Sequence, residues 1–179
     1  MAEVRPVQPV KLITGMLSGE EGMFAGAQEK MERLWGKIDI QSQVMAFTHT
    51  EYYHKQMGKP LWRKFVSFEG LIDPGKLAQI KHQSNDLERE LAQAARPLRV
   101  ARPINIDPGY IDPSKLVLAT TKNYSHRIYI GDSMYAEATL RYHQGGWWSW
   151  PYTYPDYAGG NYDEFLNEVR AKLMTHTHK

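Results

Sequence analysis

Residues 10–17 read VKLITGML, an apolar, β-branched run that Pro9 precedes and Ser18-Gly19 follows. Such a run reads as a buried strand in the middle of a sheet, so the segments after it have to supply sheet neighbours and covering helices. Ser18 stands three residues before Glu21, a capping-box spacing, and Phe24, Ala27, Met31 and Leu34 recur at three- and four-residue steps until Gly36. That pattern predicts an amphipathic helix, weakened by Gly22 and Gly26. Ile40, Val44 and Phe47 mark a second strand and FVSFEGLI at 65–72 a third, with an irregular polar and aromatic stretch over 48–64 between them.

Asp73-Pro74 opens the clearest helix, with Asp as N-cap, Pro at the first helical position and Leu77, Ile80, Leu87, Leu91 and Ala94 on one stripe ending near Arg96-Pro97. A Pro-bounded strand at Ile104–Asp107 then leads into a turn at Asp107-Pro108-Gly109. Asp112-Pro113 repeats the helix-start signal before Lys115–Lys122, although LVLATT equally satisfies a strand. His126–Ile130 and Met134–Tyr142 flank Gly131-Asp132-Ser133 as a hairpin. A three-residue loop there sets Ile128 opposite Ala136 and Ile130 opposite Met134 on one face, with Arg127 opposite Glu137 and Tyr129 opposite Tyr135 on the other. Asn161, three residues before Glu164, caps a last helix whose Phe165, Leu166, Val169 and Leu173 face the core, and the polar tail Thr175–Lys179 frays.

Up to Asp107 the order is strand, helix, strand, strand, helix, strand. The expected fold is therefore α+β with a mainly antiparallel sheet in ferredoxin-like βαββαβ order, extended by a hairpin and a C-terminal helix. At 179 residues, 42% hydrophobic and 23% charged, the chain suits one domain over 1–179 around one core. A formal net charge of +2 supplies no global field that implies nucleic acid or an anionic membrane, so any basic site is local. The absence of Cys excludes disulfides, thiolate metal sites and cysteine nucleophiles. Residues 1–9 hold no apolar h-region and no run approaches the ~20 apolar residues of a membrane helix, so a cytoplasmic location and no membrane partner are expected.

Several stretches carry a resemblance: VKLITGMLSG (10–19), TEYYHKQMG (50–58), RKFVSFEGLIDPGKLAQIK (63–81), RPINIDPGY (102–110), KLVLATTKNYSHRIYIGDSMYAEATLRY (115–142) and WPYTYPDY (150–157). Together they are similar to a family of bacterial and archaeal proteins of unknown function whose members often carry the label "GTP-binding protein". The resemblance spans nearly the whole chain and implies no activity. The residues themselves lack G-x-x-x-x-G-K-[ST], whose amides and Lys would cradle phosphates, and Gly75-Lys76 has neither the upstream Gly nor the following hydroxyl. The G-x-G-x-x-G dinucleotide fingerprint and the G-x-S-x-G nucleophile elbow are missing too.

The segment 122–141 gathers Lys122, Tyr124, His126, Arg127, Glu137 and Arg141, which combine cations, an imidazole and a carboxylate in one hairpin. Arg forks onto phosphate or carboxylate, and His exchanges protons near neutral pH. The competing interpretation is a hydrogen-bonded core His126 with an exposed Arg127–Glu137 pair. Asp107 and Tyr110 place a carboxylate and a phenol at a strand end, where turn-capping is the alternative, and Asp156 is a second carboxylate in a Pro-bounded segment. His49, Glu51 and His54 form H-x-E-x-x-H, but i and i+5 diverge on a helix, so no metal is expected. Gly145–Tyr162 concentrates Trp147, Trp148, Trp150, Tyr152, Tyr154, Tyr157 and Tyr162 with no Lys or Arg from 145 to 169, unlike a nucleic-acid platform.

Two functions emerge. One is a site for a small anionic ligand, such as a nucleotide or phosphate ester, near the 122–141 hairpin. The other is an interaction module that turns its Trp/Tyr segment 147–162 to a protein or RNA partner. Neither names a cofactor, and whether the chain is an enzyme stays open.

Overall fold

The computed structural model describes residues 3–48, 54–95 and 100–177. Strand β1 (Val10–Ser18) is buried along its whole length, as an apolar run at the centre of a sheet requires. It is followed by helix α1 (Gly22–Trp35), short strands β2 (Ile38–Gln41) and β3 (Met45–Ala46), the one-turn helix α2 (His54–Met57) and the long strand β4 (Trp62–Ile72). A 3₁₀ turn, Pro74–Lys76, leads into helix α3 (Leu77–Ala94). Strands β5 (Ile104–Ile111), β6 (Lys115–Thr120), β7 (Ile128–Gly131), β8 (Met134–His143) and β9 (Gly146–Ser149) come next, then the one-turn helix α4 (Pro155–Ala158) and helix α5 (Asp163–Thr177).

One open sheet of nine strands results, in the order β2-β4-β1-β5-β6-β8-β7, with β3 beside β4 and β9 beside β8. Its ladders are antiparallel. The molecule is thus α+β with a mainly antiparallel sheet. Leu12, Met16, Val66, Phe68 and Ile106 on one face pack against Phe24, Ala27 and Met31 of α1 and Ile80, Leu87 and Leu91 of α3. On the other face Ile13, Phe65, Ile111, Leu116 and Leu140 meet Phe165, Leu166, Val169 and Leu173 of α5. Of the expected α3 stripe Leu77, Ile80, Leu87 and Leu91 are buried, whereas Ala94 in the last turn is exposed.

Several expectations need correction. Asp73 does cap the turn before α3, accepting from the Gly75 amide at 2.8 Å, but the capping box at Ser18 does not form. Ser18 ends β1, donates to the Pro103 carbonyl at 2.7 Å and accepts from the Glu20 amide, while α1 starts only at Gly22. Leu34, placed on the α1 stripe, is exposed. Residues 107–109 form no turn, because β5 runs on to Ile111; Pro108 is tolerated because the β5–β6 ladder begins only at Gly109, so no bond to β6 is lost. The ambiguous segment from Lys115 is a strand, buried continuously over Leu116–Ala119 between β5 and β8, as an apolar run inside a sheet requires.

In the hairpin, Ile128–Ala136 and Tyr129–Tyr135 pair as expected, but Gly131 rather than Ile130 faces Met134. Asp132 (φ 49°) and Ser133 (φ 59°) make a two-residue turn with both centres in the left-handed region, so the extra residue is absorbed as a bulge before it. Helix α3 ends at Ala94, just before Arg96-Pro97, which lie outside the described residues; the tail expected to fray from Thr175 instead continues α5 to Thr177, and only 178–179 lie outside the described residues. No helix among the described residues is long and apolar enough to cross a membrane.

Candidate functional site

The sheet is pinched and then parted between β5 and β6. These strands pair only over Gly109–Ile111 and Leu116–Leu118, and at Gly109 a Cβ would come within 2.3 Å of the Val117 carbonyl oxygen. Beyond that contact β5 keeps β1 as its neighbour and β6 keeps β8. The parting opens a cleft of about 770 Å³, within the range of small-molecule sites. Segment 154–157 bridges its walls: the Tyr154 hydroxyl accepts from Arg127 Nη2 at 3.2 Å, and Asp156 accepts from Arg63 Nη2 at 3.2 Å.

Five cations line the cleft, Arg63, Lys81, Arg102, Lys122 and Arg127, together with the carboxylates Asp107, Glu137 and Asp156. Arg63 lies on β4 opposite Leu17, and its guanidinium extends across β1 at Gly15, where a Cβ would stand 3.3 Å from Nη1. It is only 6% exposed, lies 4.8 Å from the Phe47 ring centroid and leaves its Nε buried with no hydrogen-bond partner. Burial opposes its charge, but Tyr157, Tyr162 and Asp156 outweigh that and hold its pKa above the ordinary arginine value. The same burial raises the Tyr157 and Tyr162 phenols, so both stay protonated, and Tyr162 donates to Asp156 at 3.0 Å.

Lys81 comes from the opposite face. It occupies the apolar stripe of α3 and passes its ammonium through the parting, donating to the Ile106 carbonyl at 3.1 Å and to Asp107 at 3.2 Å. Asp107 also accepts from Asn105 at 2.5 Å. Burial pushes the Asp107 pKa up, but Lys81, Arg63 and Asn105 together hold it below the usual carboxylate value. Arg102 donates to Asn105 and to Glu88, and Glu88 accepts from the Ile106 amide at 2.7 Å. A hydrogen-bonded chain therefore runs from Glu88 through Arg102, Asn105 and Asp107 to Lys81 along the cleft floor.

On the far wall Arg127 donates from Nε to Glu137 at 2.8 Å and from Nη1 to the Lys122 carbonyl at 3.1 Å. Burial opposes its charge, but the Glu137 hydrogen bond raises its pKa. His126 Nε2 lies 3.1 Å from the same Glu137 oxygen, and the imidazole stacks on Tyr152 with centroids 4.2 Å apart. The Arg127–Glu137 pair is buried rather than exposed, because Glu137 points into the cleft under segment 154–157.

Of the nine residues singled out from sequence, Lys122, Arg127, Glu137, Asp107 and Asp156 line this cleft. His126 adjoins it through Glu137, and Tyr124 leans on His126 with centroids 5.3 Å apart. Tyr110 and Arg141 lie elsewhere. Tyr110 packs beside Leu77 and Val117 on the α3 face. Arg141 stands over Trp148 and Trp150, because a bulge at Thr139 shifts the β6–β8 register and turns position 141 away from the face of Glu137 and Leu140. His49 and Glu51 lie outside the described residues, and among the described residues no cluster of three His, Cys, Asp or Glu side chains is arranged for a metal.

Arg63, Lys81 and Arg102 were not singled out. A signal existed for Lys81, a cation on an otherwise apolar helical stripe between Leu77 and Ser84. Arg63 carries no such mark, since nothing local in β4 says that Gly15 lies beside it. The aromatic segment proves mostly structural: Tyr157 and Tyr162 surround Phe65, Trp147 packs beside the α5 core, and Trp150, Tyr152 and His126 stack in series.

A family model described as "Domain of unknown function (DUF4416)" matches residues 8–173. The chain belongs to that family. No curated protein and no solved structure matches it. The match takes in both walls of the cleft and segment 154–157, so the site described above lies wholly within the DUF4416 domain.

Proposed function

We propose that the cleft binds a small anionic ligand, such as a nucleotide or phosphate ester. The observation that carries this reading is Arg63: a guanidinium more than nine-tenths buried, facing a cleft, with its Nε unsatisfied. A buried donor without a partner costs about 1–3 kcal/mol, a penalty that an arriving oxyanion would relieve. Arg63 and Lys81 reach the cleft from β4 and α3, and Lys122 and Arg127 from the two ends of the β6–β7 loop, which suits an oxyanion approached from several sides.

An interaction module built on the Trp/Tyr segment 147–162 has weaker support. Of the seven rings in 147–162 only Trp148 and Tyr154 are exposed, too few for a continuous aromatic patch. A cytoplasmic setting and one domain over residues 1–179 belong to this proposal. The ferredoxin-like reading does too, supported by β1 lying between β4 and β5 with α1 and α3 on one face. The test is a thermal-shift screen against nucleotides, sugar phosphates and divalent metals. A ligand at 100 times its Kd should stabilise by about 2.7 kcal/mol. The shift should vanish in Arg63→Lys, which keeps the charge and loses the fork; a full shift in that variant refutes the site.

A further inference from the structure

Most polar and aromatic groups around the cleft are engaged within the protein, and four that are not form a pattern. Arg63 Nε has no partner. The Gln56 and Asn85 amides line the cleft without a side-chain hydrogen bond among the described residues. Tyr154 is the fourth such group. Its hydroxyl is tethered by Arg127, it is 52% exposed, and its ring stacks on no other ring or guanidinium among the described residues. Its neighbours differ: Trp150 stacks on Tyr152, Tyr157 and Tyr162 meet edge to face, and Arg141 covers Trp148.

We infer that Tyr154 is a stacking platform and that the ligand is an anion carrying a planar heteroaromatic ring. The anionic group answers Arg63, the ring lies on Tyr154, and ring heteroatoms meet the two amides, each of which both donates and accepts. A ring held by a hydroxyl tether is presented at little entropic cost, because its torsions are fixed before the ligand arrives. A cleft of about 770 Å³ also exceeds what an inorganic anion fills, which leaves room for such a ring.

This inference rests on the cleft being an anion site, and the experiment separates the two. Calorimetry on the full chain would compare adenosine and guanosine 5′-monophosphates with ribose 5-phosphate, which keeps sugar and phosphate without the ring, and with phenyl phosphate, whose ring has no heteroatoms. At least one nucleoside monophosphate should bind about tenfold more tightly than ribose 5-phosphate, the worth of one base–aromatic stack. Tyr154→Ala should remove that advantage and leave ribose 5-phosphate unchanged, while Tyr154→Phe should keep most of it. Phenyl phosphate should fall between the two, since it stacks but offers the amides nothing. If ribose 5-phosphate and the nucleotides bind alike and Tyr154→Ala moves neither, the platform is refuted and the anion site stands. Should none of the four bind, both readings fail together.

Discussion

Gly15→Ala tests the packing that delivers Arg63 to the cleft. Gly15 sits in the middle of β1, outside the left-handed region, so the backbone accepts alanine. In open surroundings the change would stabilise by about 0.4–1 kcal/mol through the unfolded chain. Here the new methyl would lie 2.8 Å from Phe65 Cε1 and 3.3 Å from Arg63 Nη1. Phe65 cannot retreat, because its ring is fully buried and held by Phe165 at 5.4 Å and Tyr162 at 4.5 Å between centroids. Overpacking of this kind costs about 1–3 kcal/mol, which outweighs the backbone gain and leaves a net loss of about 0.5–2 kcal/mol. Urea denaturation should show a lower midpoint with an unchanged slope. Gly70→Ala, in exposed β4 where an added Cβ meets nothing within 4 Å, is the control and should be neutral or slightly stabilising. If Gly15→Ala is as stable as the control, the chain accommodates the methyl freely, and Gly15 is not what admits Arg63.

Leu87→Ala should cost about 2–5 kcal/mol in the same assay, because Leu87 is buried between α3 and the sheet; an unchanged midpoint would make α3 peripheral. Arg141→Ala should leave anion affinity unchanged and cost about 0.5–1 kcal/mol, the worth of an exposed cation–π contact, so weakened binding would bring Arg141 back into the site. Asp107 predicts acid lability. Its folded pKa lies below the unfolded value of about 3.9, so its contribution is present above that pH and is lost as pH falls through the folded pKa. Asp107→Asn should therefore flatten the acid limb of stability below about pH 4, and an unaltered limb would contradict the ion pair with Lys81.

What was legible in the sequence was local. The unbroken apolar run of 10–17 and the helical periodicity of 77–91 declare a central strand and a covering helix, because each pattern is set by the layers the segment must pack against. Arg127 and Glu137 could be paired from hairpin register alone, since they lie ten residues apart across one turn. Arg141 could not be placed by the same logic, for a single bulge at Thr139 reverses every later side chain of β8 and leaves no sequence mark. Arg63 and Asp156 are 93 residues apart and meet only because β4, β1 and segment 154–157 converge; no window of sequence contains that contact.

The ion pairs explain why so many carboxylates line a site proposed for anions. Each of Arg63, Lys81 and Arg127 is tethered by one acid, Asp156, Asp107 and Glu137 respectively. An untethered long cation loses about 2 kcal/mol of rotamer entropy when a ligand fixes it, so a tether made on folding spares binding that cost. The tether also lowers the net field, which trades raw attraction for geometry. Glu137→Gln separates these effects at Arg127. If field dominates, losing the carboxylate strengthens anion binding and steepens its salt dependence; if geometry dominates, affinity falls although the cleft has become more positive. The Arg127 contacts to the Lys122 carbonyl and Tyr154 hydroxyl survive the change and keep the guanidinium in place. Tighter binding is therefore the expected result, and weaker binding at unchanged stability would show that Glu137 alone positions Arg127.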